Sequence, residues 1–578
     1  MAFSFVSFFS STPALVVGLV VAALVLLYHA ALPKPIPGIP YNHESSKSVL
    51  GDIPSMNAYK KETQEIFTWM TAQCQKLNSP IVQVFVRPFS TPWVIITDAR
   101  ECQDVLLRRS REFDRSRFTT DVVQPILREH HFSFPSGPKQ KAHRALLSDL
   151  MTPGFLHEIA APQLYEATLD LLSLWRKKAV LARDHPFEAK EDISNVALDT
   201  IWAAAVGKQV GTTASQLDLL NHVPALQLPE RVTSAVVFPQ ADYPSDVIAI
   251  RDVINTMGVG VSSPLPKVTY LFYKNLPSIK AAFQKKDLML TRALRESQAR
   301  LEKENDNDNN DSVKSAMDYI LKREIVIAKK ENRPLQLDRT VLQDELFGFL
   351  LAGHETTSTT MSWGIKFLAD HQDVQKKLRQ ALQSGIPAAV AQRRQPTYHE
   401  IVNATIPYFE AVIEECLRCG GPAAVHARLS LVETELLGVR IPKGTDVFFM
   451  TNGPSFIAPP IPIEEGSRSK TCQSSKHKIG TWDSSRISQF DPERWLKIDN
   501  EGKLVINLQA GPNIPFGGGP RGCFGKKFAY LEMRTVFTII FWNFELLPVA
   551  PKLSTYSAVD LVTHQPQQCF VRLAAYPS

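Results

Sequence analysis

Cysteine is scarce in this chain: seven in 578 residues (Cys74, Cys102, Cys416, Cys419, Cys472, Cys523 and Cys569), an odd number without regular spacing. That excludes a disulfide scaffold of the secreted kind and fits a reducing compartment. The C-x-x-C pair Cys416/Cys419 has no second pair and no strand–turn–helix setting, so it reads as packing inside a helix rather than as a zinc or redox site. Blocks of Lys and Arg are missing too. The net charge of +6 is spread along the chain, which argues against nucleic acid as a partner. No G-x-G-x-x-G follows a strand, so no dinucleotide site of that kind is encoded. There is no internal repeat and no sharp compositional shift to mark a second domain. With 44% hydrophobic and 21% charged residues, the makeup is that of a globular protein with an ample core.

One long apolar run stands out. Residues 13–32 carry no formal charge and suffice to span a bilayer core as a helix. Lys34 follows, and residues 1–12 hold no Lys or Arg. The positive-inside rule then places residues 1–12 in the lumen and the bulk of the chain in the cytoplasm. The run is long for the core of a signal peptide, and no basic segment precedes it. Pro33, Pro35, Pro37 and Pro40 make residues 33–45 a stiff, proline-rich hinge. Residues 46–578 remain as one large domain. Helical periodicity dominates it, at 99–109, 160–178, 278–302, 313–332, 338–368, 408–418 and 526–544, with short strand signals at 81–86, 93–97, 430–434, 445–450 and 569–574. Residues 302–312 are polar, low in complexity, and predict a loop.

The chemistry concentrates in Phe516-Gly517-Gly518-Gly519-Pro520-Arg521-Gly522-Cys523-Phe524-Gly525. This is a lone cysteine in a glycine-rich loop leading into a helix, a position biased toward thiolate. The glycines allow backbone to approach something large and flat, and Arg521 can meet an anion. The set suits a haem iron ligand with a propionate partner. A second segment, Ala352-Gly353-His354-Glu355-Thr356-Thr357, places Gly, an acid and two hydroxyls within an apolar helix, a local violation of the kind that marks functional sites. A third pairs Glu415 and Arg418 on one helical face, with Phe490-Asp491-Pro492-Glu493-Arg494-Trp495 further along.

Together these segments resemble the signatures of the cytochrome P450 family, in its microsomal, filamentous-fungal branch: Phe-x-x-Gly-x-Arg-x-Cys-x-Gly, Ala-Gly-x-Glu-Thr-Thr, and Glu-x-x-Arg with a downstream Arg. The resemblance implies a mainly α fold with small β-sheets and an N-terminal transmembrane helix in the endoplasmic reticulum membrane. It implies haem b, bound by Cys523 as axial iron ligand. Phe516 would pack beside the sulfur, Gly519 and Gly525 would be turn positions whose N–H groups serve it, and Arg521 would contact a propionate. Thr356 would steady the activated oxygen and Glu355 would feed a proton relay, with His354 a polar neighbour rather than a metal ligand. Glu415, Arg418 and Arg494 would form a buried charge network. Arg428 and Arg144 are further propionate candidates, Arg144 with Gln140 standing where the family usually has Trp.

The implied activity is insertion of one oxygen atom from O2 into a small apolar substrate, in specialised metabolism. NADPH would act only through a flavoprotein reductase docking near Lys526 and Lys527. Rival readings are a haem-thiolate isomerase or dehydratase, a lipid or xenobiotic hydroxylase, and a haem sensor. The pocket roof is expected from residues 116–134 and 219–264, from Phe347 and Leu351, and from 423–426 and 563–566. Two departures from the family pattern are Cys419-Gly420-Gly421-Pro422 and an insertion at 459–485.

Overall fold

The computed structural model describes residues 6–304, 313–335 and 339–576, and of these the side chains from Leu15 onward except at 303, 304 and 339. Most of the predicted loop at 302–312, and Asp338 at the start of a predicted helix, lie outside the described residues. The helices used below are α1 (Val6–Ala31), α2 (Ala99–Arg108), α3 (Pro138–Leu146), α4 (Ala161–Ala182), α5 (Lys190–Val206), α6 (Ser245–Val261), α7 (Pro277–Glu304), α8 (Ala316–Lys330), α9 (Arg339–Asp370), α10 (Pro407–Cys419) and α11 (Lys526–Asn543). The largest sheet has five strands: β1 (Ile81–Val84), β2 (Trp93–Ile96), β3 (Phe113–Arg115), β4 (Val425–Ser430) and β5 (Asp446–Met450), in spatial order β1-β2-β5-β4-β3. Only β2 and β5 pair in parallel. The remaining small sheets include a C-terminal hairpin, Ala558–Asp560 with His564–Pro566.

The predicted helices form, their ends shifted by a few residues. Several helices that the sequence pattern does not predict form as well, α5 and α6 among them. In α5 nearly every residue from Asp192 to Val206 is buried, so there is no polar stripe for periodicity to show. α6 falls within the expected roof segment, and its buried face includes Val247, Ile250, Val253, Ile254 and Met257. The strand expected at 430–434 instead ends at Ser430, with the next strand starting at Thr434. The sheet's hydrogen bonds place β4 between β3 and β5, and Leu431 N–H turns away to Glu112 O.

α9 runs unbroken through 352–357 as one helix of 32 residues. Thr356 Oγ1 donates to Ala352 O at 2.7 Å and Thr360 Oγ1 to Thr356 O at 2.9 Å, so these hydroxyls bond back along the helix without interrupting it. α9 crosses α5 closely because residue 353 is glycine: a Cβ there would lie 2.6 Å from Ile201 Cδ1.

The proline-rich stretch is docked on the domain. Gln83 of β1 accepts from Ile36 N–H and donates to Ile36 O and Ile39 O, and Ile36 and Ile39 join a core with Ile81 and Val94. Before it, α1 exposes its apolar side chains from Leu15 to Tyr28. Among the described residues no helix is long and apolar enough to cross a membrane. The span expected at 13–32 begins with Pro13 and Ala14, whose side chains are outside the described ones.

Candidate active site

The loop bearing Cys523 is folded by its own backbone. Cys523 N–H donates to Phe516 O at 2.8 Å and Gly522 N–H to Gly519 O at 3.0 Å. A short 3-10 turn, Gly519–Arg521, precedes α11. Gly519 takes φ +61°, and a Cβ there would lie 2.5 Å from Leu106 O, so both backbone shape and the close packing on α2 require glycine. Gly525 lies in the turn that leads into α11, with φ −78°; its N–H serves the sulfur, and a Cβ there would meet nothing within 4 Å.

Cys523 is the exposed one among the seven cysteines, yet the surrounding protein still sets its titration. Desolvation is the largest influence and raises the thiol pKa; the N–H groups of Gly525 and Lys526 and the cations Arg144 and Lys526 pull it down without prevailing. The donors that favour a thiolate are where a helix start puts them, and desolvation by the surrounding protein works against them in the free thiol. Phe516 lies against Tyr530, ring centroids 5.4 Å apart, with the Lys526 ammonium 5.6 Å from the Phe516 ring centroid.

Beside this loop the structure gathers cations. Arg521 pairs with Asp114 at 3.0 Å and donates to Phe134 O at 2.8 Å, while its Nη1 is buried without a partner. Arg144 on α3 donates to Gly522 O at 3.3 Å. Arg428 of β4 is buried and donates to its neighbour's carbonyl, Ala427 O; burial lowers its pKa to about 10, with Arg521 pushing the same way.

The fourth cation, Arg115, was missed in the sequence. It stands directly opposite Arg428 in the β3–β4 register, and its Nε is buried without a partner. Burial holds its pKa well down, and Arg521, Arg428 and Arg144 add to the effect. Like charges facing each other across a ladder are destabilising, and a buried unpaired cation more so. The chain keeps four here with Asp114 as a close carboxylate. Such a set is built to hold a buried dianion or a pair of carboxylates. A thiol in a close-approach loop beside it fits haem, which offers iron to sulfur and two carboxylates to the arginines.

On the other side lies α9. Glu355 Oε1 accepts from Gln565 Nε2 at 2.5 Å and from Thr563 Oγ1 at 3.4 Å, both on the C-terminal hairpin. Burial raises the Glu355 pKa, partly offset by those donors and by Lys190. Glu355 opens on a cavity of about 430 Å³ with Ile254, Asn255, Gly258, Leu561 and Val562. A second, apolar cavity of about 220 Å³ is walled by Met70, Trp93, Phe118, Val122, Met257 and Phe448, and shares Ser262 and Val562 with the first. Segments 116–134 and 219–264 thus line the cavities as expected. Phe347 and Leu351 do not; they are buried in the helical core, because the face of α9 that carries them packs inward. His354 is a polar neighbour, its Nε2 3.0 Å from Ser194 Oγ.

Glu415, Arg418 and Arg494 meet as expected. Arg418 grips Glu415 through Nε at 2.8 Å and Nη2 at 2.7 Å, and Arg494 Nε reaches Oε1 at 3.1 Å. Trp495 Nε1 and the Asp491 N–H, each at 2.8 Å, complete the carboxylate's partners. Carbonyls of Phe456, Ile487 and Gln489 take the remaining Arg418 donors. The insertion closes the network: the Trp482 ring lies 5.7 Å from the Arg418 guanidinium and 5.4 Å from that of Arg494, and packs edge-on against Trp495.

Comparison with known proteins agrees with this geometry. The Cytochrome P450 family profile matches residues 50–453 and 485–570, leaving out the stretch that contains most of the insertion. Cytochrome P450 monooxygenase GME11363 of Pestalotiopsis microspora is 39% identical over 98% of this chain and 99% of its own length. Cytochrome P450 monooxygenase TRI13 of Fusarium sporotrichioides is 38% identical over 96% and 98%. Cytochrome P450 monooxygenase xilC of Penicillium crustosum is 32% identical over 95% and 94%.

Proposed function

Given that the chain belongs to the cytochrome P450 family and is a monooxygenase, we propose that it inserts one oxygen atom from O2 into a small apolar substrate of fungal specialised metabolism, using haem b ligated by Cys523. The observation that carries this reading is the meeting of the Cys523 loop with four buried or half-buried arginines, two of which hold unpartnered donors. Arg115, Arg144, Arg428 and Arg521 would hold the propionates. The thiolate-bound haem supplies the O2 chemistry when bound. The balance is RH + O2 + two electrons + two protons to ROH and water.

The chain's own residues do the rest. The apolar walls of the smaller cavity bind the substrate and exclude water. Glu355 holds a proton at Oε1 or Oε2 more readily than a free carboxyl does and faces the larger cavity, so it can hand that proton inward. Gln565 and Thr563 fix its orientation. Thr356 keeps its hydroxyl on Ala352 O and can turn it toward a partner beside α9.

Electrons come from a flavoprotein reductase that consumes NADPH, met at the exposed Lys526 and Lys527. The exposed apolar side chains of α1 support a single anchor in the endoplasmic reticulum membrane, with the catalytic domain in the cytoplasm. The test is spectroscopic and then catalytic. Purified protein reduced under carbon monoxide should show the red-shifted Soret band of a thiolate-ligated haem, and with reductase and NADPH it should yield products one oxygen heavier. Turnover without NADPH would favour an isomerase or dehydratase instead.

A further inference from the structure

On the α9 turn that starts the buried part of that helix, three histidines surround one carboxylate. Glu345 is fully buried. His131 Nδ1 lies 2.7 Å and His130 Nε2 lies 3.3 Å from its Oε2, and His143 Nδ1 lies 3.5 Å from its Oε1. His130 and His131 come from a tight turn before α3, with ring centroids 4.2 Å apart; His143 comes from α3 itself. The helix is cut away to admit them: a Cβ on Gly348 would lie 2.2 Å from His130 Nε2.

The His131 backbone N–H gives Glu345 Oε1 a bond of 2.6 Å. One ligand-capable atom from each of His130, His131 and Glu345 lies within 4.8 Å of the other two, and all three residues are buried. For a tetrahedral zinc with bonds of about 2.0–2.1 Å, neighbouring donors stand roughly 3.3 Å apart. His143 Nδ1 donates to Glu129 O at 2.7 Å, so that nitrogen keeps no lone pair for an ion and His143 flanks the site.

We propose that His130, His131 and Glu345 form a structural site for a divalent ion of the zinc class, flanked by His143. Such an ion would rivet the 130–133 turn to α9. The site adjoins the Cys523 loop, since the His131 ring lies 6.4 Å from that of Phe524. Its role is to fix the turn that leads into α3, and hence Arg144, against α9. This reading does not depend on the identity of the substrate or on turnover.

The experiment is metal analysis of the full-length, haem-loaded protein. After incubation with zinc chloride and dialysis against a weak chelator, zinc and iron are counted by mass spectrometry, and the zinc K-edge spectrum is recorded. About one zinc per chain is expected, with imidazole scattering from two ligands. Glu345→Gln and His131→Ala should each weaken zinc binding by about 10- to 100-fold, and His143→Gln by less. Less than ~0.1 zinc per chain in the wild-type protein, against the full occupancy a structural site shows, overturns the proposal. So does equal zinc content in wild type and Glu345→Gln, which means adventitious surface binding only. Should the variants fail to fold, the wild-type spectrum decides: zinc present without imidazole ligands also overturns it.

Discussion

Gln565, on the last hairpin of the chain, donates through Nε2 to Oε1 of Glu355 in the middle of α9, at 2.5 Å. The C-terminus therefore sets the protonation of the acid in the Ala-Gly-His-Glu-Thr-Thr segment. The donor favours the carboxylate and works against the burial that raises the Glu355 pKa. Gln565→Leu removes it, so the Glu355 pKa should rise further. Because Glu355 acts in its protonated form, the alkaline limb of the pH–rate profile should move to higher pH in Gln565→Leu and vanish in Glu355→Gln. Product formation measured across pH with saturating reductase checks both. Unchanged limbs would remove Glu355 from the proton path.

Arg418 holds Glu415 with two bonds inside a network without solvent access to either side chain. Breaking one partner of a buried pair costs about 3–5 kcal/mol, mostly from the charge left behind. Arg418→Ala should accordingly lose haem: the haem-to-protein ratio of the purified variant should fall to a small fraction of wild type. Full haem occupancy would show that the network is dispensable for holding the group.

Arg115 makes the opposite prediction for the haem-free chain. It faces Arg428 across the β3–β4 pair and carries an unpartnered Nε. Arg115→Leu should leave the apoprotein as stable as wild type or more so, because a buried like-charge contact disappears. Its haem should dissociate faster, by about 10-fold or more for one lost charge-assisted bond. Urea unfolding of apoprotein and haem transfer to a scavenger globin read the two effects separately.

Trp482 belongs to the stretch that the family profile leaves unmatched, yet it is buried, donates to Pro512 O at 3.0 Å and covers both arginines of the network. Trp482→Ala should destabilise the protein by about 3–5 kcal/mol, as for other large aromatic deletions in a core. Thermal unfolding would show it. A change below ~0.5 kcal/mol, the size typical of surface substitutions, would make the insertion an ornament.

Glu101 on α2 gives a pH prediction. Burial is the largest cause that raises its pKa, to about 7; Asp104 and Asp98 add to it while Arg109 opposes. The folded chain therefore binds this proton more tightly than the unfolded chain, whose value is near 4.5. The stabilisation is complete below pH 4.5 and is lost as pH rises through about 7, amounting to about 3 kcal/mol. Glu101→Gln should flatten the stability profile across that window and make the variant more stable than wild type at pH 8. Denaturant midpoints at pH 5 and pH 8 test the sign.

The local motifs were legible because their chemistry is carried by spacing. Glycine before Cys523, Glu355 next to Thr356, and Glu415 three residues from Arg418 are facts of order along the chain. The helices α2 and α4 were legible because one face is apolar and the other polar, and α9 and α11 as long apolar runs beside the motifs. α5 was not, because a helix buried on all sides has no polar face to betray its period.

What the amino-acid order determined by itself, then, is the kind of chemistry and the local segments that bear it. Tertiary structure alone decided which distant groups share a charge. Arg115 joins Arg428 only through a strand register, Glu355 meets Gln565 only through a C-terminal hairpin, and three histidines find Glu345 only where α3 and a turn close on α9. Desolvation by the surrounding protein works against one expectation, raising the Cys523 thiol although a helix start favours the thiolate. The reason is the same throughout: spacing along the chain fixes nearest neighbours, whereas desolvation and long-range charge depend on everything folded around a group.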